Sequence, residues 1–168
     1  MNKNDMEIER KFLIRRPGQA YLESAGEWTS IEQTYLNAPE GITARVRKRG
    51  REGAWTYTQT IKSRITERSR VEIEHEIPEQ EFKALLEQAD PERRRIDKTR
   101  WCIPCGDVIL EIDIYPFWED RAILEIELED EQQSFVLPAE IQVIREVTSD
   151  GRYTNSSLAR EIPMDPIA

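Results

Sequence analysis

The chain has one histidine, two cysteines and seven glycines among 168 residues. With His75 alone, no Ser-His-Asp set can be assembled, and one histidine beside two cysteines makes a poor zinc site. No glycine loop of the G-x-x-x-x-G-K-S/T kind occurs, so a P-loop is excluded. No apolar run approaches the roughly 20 residues of a membrane-spanning helix. The start, MNKNDMEIERKF, is charged and lacks the apolar stretch of a secretory signal. An excess of positive charge is also missing: the net charge is −9, which argues against a general nucleic-acid or acidic-membrane surface. Linkers, repeats and low-complexity stretches are absent. These absences lead to the expectation of one cytoplasmic domain over residues 1–168, with neither nucleic acid nor membrane as partner.

What is present is charge. Charged residues make up 34% of the chain, and arginines outnumber lysines eighteen to six. Arginine is the better fork for carboxylate or phosphate, so a local anion site fits inside an acidic protein. The two cysteines lie in WCIPCG, where Pro104, Gly106 and Asp107 mark a turn before a further strand. That context predicts reduced thiols on a hairpin rather than a redox motif, which needs a helix starting at the first cysteine.

Strand signals fall at residues 7–14, 30–36, 43–48, 54–61, 68–77, 98–103, 108–115, 122–129 and 141–148, with turns short enough for antiparallel hairpins. The clearest helix signal is 78–90, and slighter ones lie at 17–25, 129–136 and 155–160. A period of two runs through the strands. Glu7, Glu9 and Lys11 oppose Ile8, Phe12 and Ile14. Arg45, Arg47 and Arg49 share one parity, as do Thr56, Thr58, Thr60 and Lys62. Glu72, Glu74 and Glu76 oppose Val71, Ile73 and His75, which places His75 on an outer face under a helix. Lys98 and Arg100, Glu111 and Asp113, and Glu125 and Glu127 complete the set. An ordinary sheet with one wet face would also alternate. Here, however, the sign of the charge is sorted by strand, and like charges on one face need opposite partners. A closed barrel supplies them across its lumen, with apolar faces turned outward beneath helices.

The segments ERKFLI, QTYL, ARVRKRG, TIKS, SRVEIEHEI, RRRIDKTRW, LEIDIY, ILEIEL and VTSDGRYTNSSLA, in this order after Glu-x-Glu-x-Lys, resemble the CYTH proteins, or triphosphate tunnel metalloenzymes. The similarity runs from about residue 6 to residue 162 and is greatest to the short single-domain bacterial type. It implies an α+β, mainly β fold: an antiparallel eight-stranded closed barrel, the triphosphate tunnel, with a charged lumen and helices packed outside. It also implies Mg2+ or Mn2+ and metal-dependent hydrolysis of a small triphosphate compound, inorganic tripolyphosphate first among them. An adenylyl cyclase making cyclic AMP from ATP and a non-catalytic polyphosphate-binding module stay open at this point. So does the oligomeric state, a homodimer being one option.

By the same resemblance, the metal set is Glu7, Glu9, Glu125 and Glu127, with Asp113 reaching a second metal or its water. The phosphate contacts are Lys11, Arg45, Arg47, Lys62, Lys98 and Arg100, with Arg49 and Arg70 as further candidates. The catalytic set is Glu7, Glu9, Lys11, Lys98, Asp113 and Glu127. Glu72, Glu74 and Glu111 balance the cations. Residues 153–160 resemble the C-terminal helix that closes one tunnel end. The basic residues that often follow the aspartate of that segment are thin here, where Gly151 and Thr154 stand among Arg152, Tyr153 and Asn155.

Overall fold

The structure is a computed structural model and describes residues 8–64 and 70–167. In chain order the elements are β1 (Ile8–Arg15), α1 (Gln19–Ala25), β2 (Glu27–Leu36), β3 (Ile42–Arg51), β4 (Ala54–Arg64) and β5 (Arg70–Ile77). Then come α2 (Glu79–Leu85), β6 (Ile96–Cys105), β7 (Val108–Ile114), β8 (Arg121–Leu128), β9 (Val143–Glu146) and α3 (Asn155–Leu158). The fold is mainly β, its ladders antiparallel, and its residues gather into two compact units interleaved along the chain.

The first unit takes the chain up to Trp28, then Lys98–Tyr153 and the end from Met164. Its strand order is β6-β7-β8-β1-β9. Alternation along each strand sends Phe12 and Ile14, Trp101 and Ile103, Leu110 and Ile112, and Ala122, Leu124, Ile126 and Leu128 into one core, joined by Leu22 of α1 and by Ile141. Lys11, Arg100, Glu111, Asp113 and Glu125 have the opposite parity and therefore share the other face. The β6–β7 hairpin turns at Gly106, whose φ of 59° favours glycine. Cys102 and Cys105 form no disulfide and lie on opposite faces of β6, as the hairpin reading expects.

The second unit comprises Thr29–Asp97 and Thr154–Pro163, with strand order β5-β4-β3-β2. Leu36, Ala44, Val46, Tyr57 and Ile77 form its core beneath Phe82 of α2, and the Tyr57 and Phe82 rings lie 4.9 Å apart. The β3–β4 hairpin uses Gly50 and Gly53 at φ of 140° and 83°. A Cβ at Gly50 would run into the Ala54 carbonyl.

Several expectations need correction. Nine strands are described rather than eight. The additional one, β9, is only four residues long and pairs with β1 through a register shift at Leu13/Ile14, so the 141–148 signal is trimmed at both ends. Among the described residues, no pairing joins the first strand of either run to its last, so the fold shown is an antiparallel sheet without ring closure. Residues 129–136 are not helical: Asp130 accepts the Gln132 amide with its side chain, and the Gln133 side chain takes the Glu129 amide. These local bonds compete with a helical ladder. The 78–90 helix stops at Leu85 and tightens into a 3-10 turn, Leu86–Gln88. The edge of β2 captures the chain there, through Asn37 N–H to the Gln88 carbonyl and Asp90 N–H to the Tyr35 carbonyl. His75 is exposed, as are all residues from Val71 to Glu76. Glu7 and Arg68 lie outside the described residues.

Candidate functional site

Register builds the charged face of the first unit. Glu9 stands opposite Glu127 and Lys11 opposite Glu125 in the β1–β8 ladder. Glu111 faces Glu125 across β7–β8, and Arg100 faces Asp113 across β6–β7. Four neighbouring strands therefore gather five carboxylates around Lys11 and Arg100.

At the centre, Asp113 is fully buried. Its Oδ1 accepts from Arg100 Nε at 2.8 Å, and its Oδ2 accepts from Arg100 Nη2 at 2.9 Å and from Lys98 Nζ at 2.8 Å. Burial alone would push the Asp113 carboxyl up, but the charges and hydrogen bonds of Lys98 and Arg100 win and hold it well below the usual carboxylate range. Lys98 Nζ also lies 5.6 Å from the centre of the Tyr115 ring. Arg100 Nη1 reaches Glu111 Oε2 at 2.9 Å, and Nη2 lies 3.7 Å from Glu125 Oε2. Glu125 is shared, because Lys11 Nζ stands 3.5 Å from its other oxygen.

Lys11 is tied down from three sides. Its Nζ donates to the Tyr153 carbonyl at 3.4 Å, its amide donates to Thr148 Oγ1 at 3.0 Å, and its carbonyl accepts the Val147 amide at 2.8 Å. Arg152, the one basic residue directly after the Asp150 segment, is turned to Asp150 and Asp165. Tyr153 is buried and also accepts from Arg145 through its hydroxyl.

Glu9 and Glu127 are open to solvent. Glu9 nevertheless loses part of its hydration to the protein around it. Its carboxyl is pushed up to about 6, first by loss of hydration and then by the Glu125 charge, with Glu111 adding to it and Lys11 and Arg100 opposing. The face thus carries more negative charge around Glu9 than its cations neutralise.

On the second unit, Arg45 pairs across the ladder with Thr60, Arg47 with Thr58 and Lys62 with Thr43. Arg47 grips Gln33 Oε1 through Nε at 3.0 Å and Nη2 at 2.7 Å, and Gln33 in turn donates to the Tyr35 hydroxyl at 3.0 Å. Arg49 donates to Thr29 Oγ1 at 3.1 Å. Lys62 lies 3.9 Å from Glu72, and Thr60 donates to Glu74 at 2.8 Å. Arg45 Nε is buried and finds no hydrogen-bond acceptor among the described residues. An open cavity of about 750 Å³ in this unit has Thr43, Lys62, Asp90, Arg93 and Arg160 in its wall. Gln33 was missed by sequence reasoning. Its signal was a polar residue set between Ile31 and Tyr35 on one parity.

Among the described residues, no three histidine, cysteine or acidic side chains are gathered closely enough to hold a metal on their own. The donor chemistry still suits a hard divalent cation. Glu9, Glu125 and Glu127 offer oxygen ligands on paired strands, and Glu9 lacks full compensation of its charge. Mg2+ commonly takes only one or two carboxylates and completes its shell with water and substrate phosphates. The residues fit a metal that substrate helps to hold, rather than a preformed protein cage.

A family model described as the CYTH domain matches residues 5–161. A protein of Nitrosomonas europaea named inorganic triphosphatase is 34% identical over 163 residues, which span 94% of this chain and 99% of that protein. A second protein of that name, from Acetivibrio thermocellus, is 36% identical over 155 residues, 92% of this chain and 93% of its own. The crystal structure of an inorganic triphosphatase matches with a TM-score of 0.63 at 31% identity, covering 94% of this chain and 97% of that one.

Proposed function

The chain belongs to the CYTH family, and from that premise we propose that it hydrolyses a triphosphate, with inorganic tripolyphosphate as substrate. The observation that carries the reading is the charged face of the first unit, where Lys11 and Arg100 stand among Glu9, Glu111, Asp113 and Glu125. Two relatives that match almost the whole chain are named for this activity.

Lys11 and Arg100 take phosphate oxygens on the first unit, Arg100 through its guanidinium edge and Lys11 as a point charge. Lys98 supports Arg100 from behind through their common partner, Asp113. Arg45, Arg47 and Lys62 are the proposed phosphate contacts of the second unit, and the unsatisfied Arg45 Nε supports that part of the reading. Glu9, Glu125 and Glu127, with Glu7, would hold Mg2+ or Mn2+. The metal, when bound, supplies charge neutralisation at the phosphate oxygens and a polarised water. Glu111 and Glu125 keep Arg100 oriented before substrate arrives, and the incoming anion takes their place on its guanidinium. Water adds to a terminal phosphorus, its P–O bond to the bridging oxygen breaks, and orthophosphate leaves. The family's closed tunnel, lined by charged side chains, is part of the proposal. So is a cytoplasmic location, which suits two cysteines, Cys102 and Cys105, that form no disulfide. No described helix is long and apolar enough to cross a membrane.

Phosphate release from tripolyphosphate, ATP and thiamine triphosphate, each with Mg2+, Mn2+ or chelator, tests the reading. Tripolyphosphate should be cleaved fastest, and chelator should abolish release. Cyclic AMP as the main product from ATP would replace hydrolase with cyclase. Binding of tripolyphosphate without any release would leave only a binding module.

A further inference from the structure

We infer that Asp113 is a positioning residue: a buried counter-ion that sets the Arg100 guanidinium for phosphate and takes no metal itself. The inference rests on the proposed function and assigns one carboxylate within it. Both Asp113 oxygens are engaged, by three N–H donors at 2.8, 2.9 and 2.8 Å from two cations. A Mg2+ ion bonds oxygen at about 2.0–2.1 Å and keeps several waters. Asp113 has no exposed surface, and neither has the Lys98 side chain, so a hydrated cation has no approach to it. Glu9 and Glu127, by contrast, are open to solvent.

The Arg100–Asp113 fork uses Nε and Nη2, and Glu111 takes Nη1. The guanidinium plane is thereby fixed by two carboxylates of the neighbouring strand, β7. Arginine loses little further freedom on meeting a phosphate when its fork is already held. Lys98 lets the carboxylate stay ionised while buried, because an unpaired buried charge is costly. Lys98, Asp113 and Arg100 together carry a charge of +1.

Three variants separate the roles: Lys98→Met, Asp113→Asn and the double change. The double variant keeps the trio at +1, so any change in anion binding reports orientation rather than charge. It also removes the buried lysine charge that Asp113→Asn alone would strand, so it serves if the single variant fails to fold. Calorimetric titration with tripolyphosphate in chelator should show the double variant binding about tenfold more weakly than the parent, the scale of one charge-assisted contact. Lys98→Met alone, which keeps the Arg100 fork, should bind tripolyphosphate more tightly than the double variant although it lowers the trio's charge to zero. Titration with Mn2+ alone, followed by electron paramagnetic resonance, should give the double variant the parent's affinity within about twofold. A tenfold loss of Mn2+ affinity in the double variant would make Asp113 a ligand and overturn the inference. Parental tripolyphosphate binding by the double variant would overturn it too, as would Lys98→Met binding as weakly as the double. A parent protein that binds neither Mn2+ nor tripolyphosphate would instead bring down the functional reading itself.

Discussion

Glu9→Gln should make the metal-free protein more stable and the metal-loaded protein less so. In the folded protein the Glu9 carboxyl rises from about 4.5 to about 6, through lost hydration and the nearby Glu125 charge. A rise of that size corresponds to about 2 kcal/mol for a fully shielded group, and solvent access at Glu9 reduces it to about 1 kcal/mol. The folded protein holds this proton more tightly than the unfolded chain does. Stability from this group is therefore complete below the unfolded value, is lost as pH rises from about 4.5 to 6, and stays lost above that range. Glutamine has the shape without the charge. In chelator at pH 8 the variant should melt about 2–4 °C above the parent, the shift expected for about 1 kcal/mol in a chain of this size. At pH 4 the two should melt together. Saturating Mn2+ reverses the order, because a ligand at a hundred times its Kd stabilises the parent by about 2.7 kcal/mol and a protein that has lost a ligating oxygen by less. Thermal melts at the two pH values, with chelator and with Mn2+, check all of this. Equal melting temperatures of parent and variant at pH 8, with equal gains from Mn2+, would refute both the crowding at Glu9 and its place at the metal.

Lys11→Met should fail in a different way. Phosphate release should fall about tenfold or more through loss of a charge-assisted contact, and excess Mn2+ should not restore it, whereas the Glu9 variant should be partly restored. Gly50→Ala should cost about 1–3 kcal/mol of stability, because a φ of 140° disfavours a side chain and the added Cβ meets the Ala54 carbonyl. Chemical denaturation measures it, and a loss below about 0.5 kcal/mol would mean that the β3–β4 turn adjusts freely.

Much of the fold was legible because strand parity is local. Leu110 and Ile112 must point opposite to Glu111 and Asp113 whatever the partner strand is, so the apolar and charged faces could be read residue by residue. The hairpins were legible for the same reason: Gly106 and the Gly50–Gly53 segment carry the turn chemistry that joins β6 to β7 and β3 to β4. The failures lie where another hydrogen-bond partner, local or distant, overruled the periodic pattern. Residues 129–136 had a helical composition, but side chains of Asp130 and Gln133 took the backbone amides first. The helix after Pro78 ended early because β2 offered partners to Gln88 and Asp90.

By itself the sequence determined which residues are charged, which parity they occupy and which family pattern they follow, since all three are carried by order along the chain. Only tertiary structure decided how those charges are shared. Lys98 and Arg100 converge on Asp113 and leave Glu9 under-compensated because of the registers in which β1, β6, β7 and β8 are paired. Register is a property of hydrogen bonds between segments far apart in the chain, and a slip of two residues would keep every parity while exchanging every partner. Ion-pair energies and proton affinities depend on distances of a few ångströms across those ladders, so no reading of one strand at a time contains them.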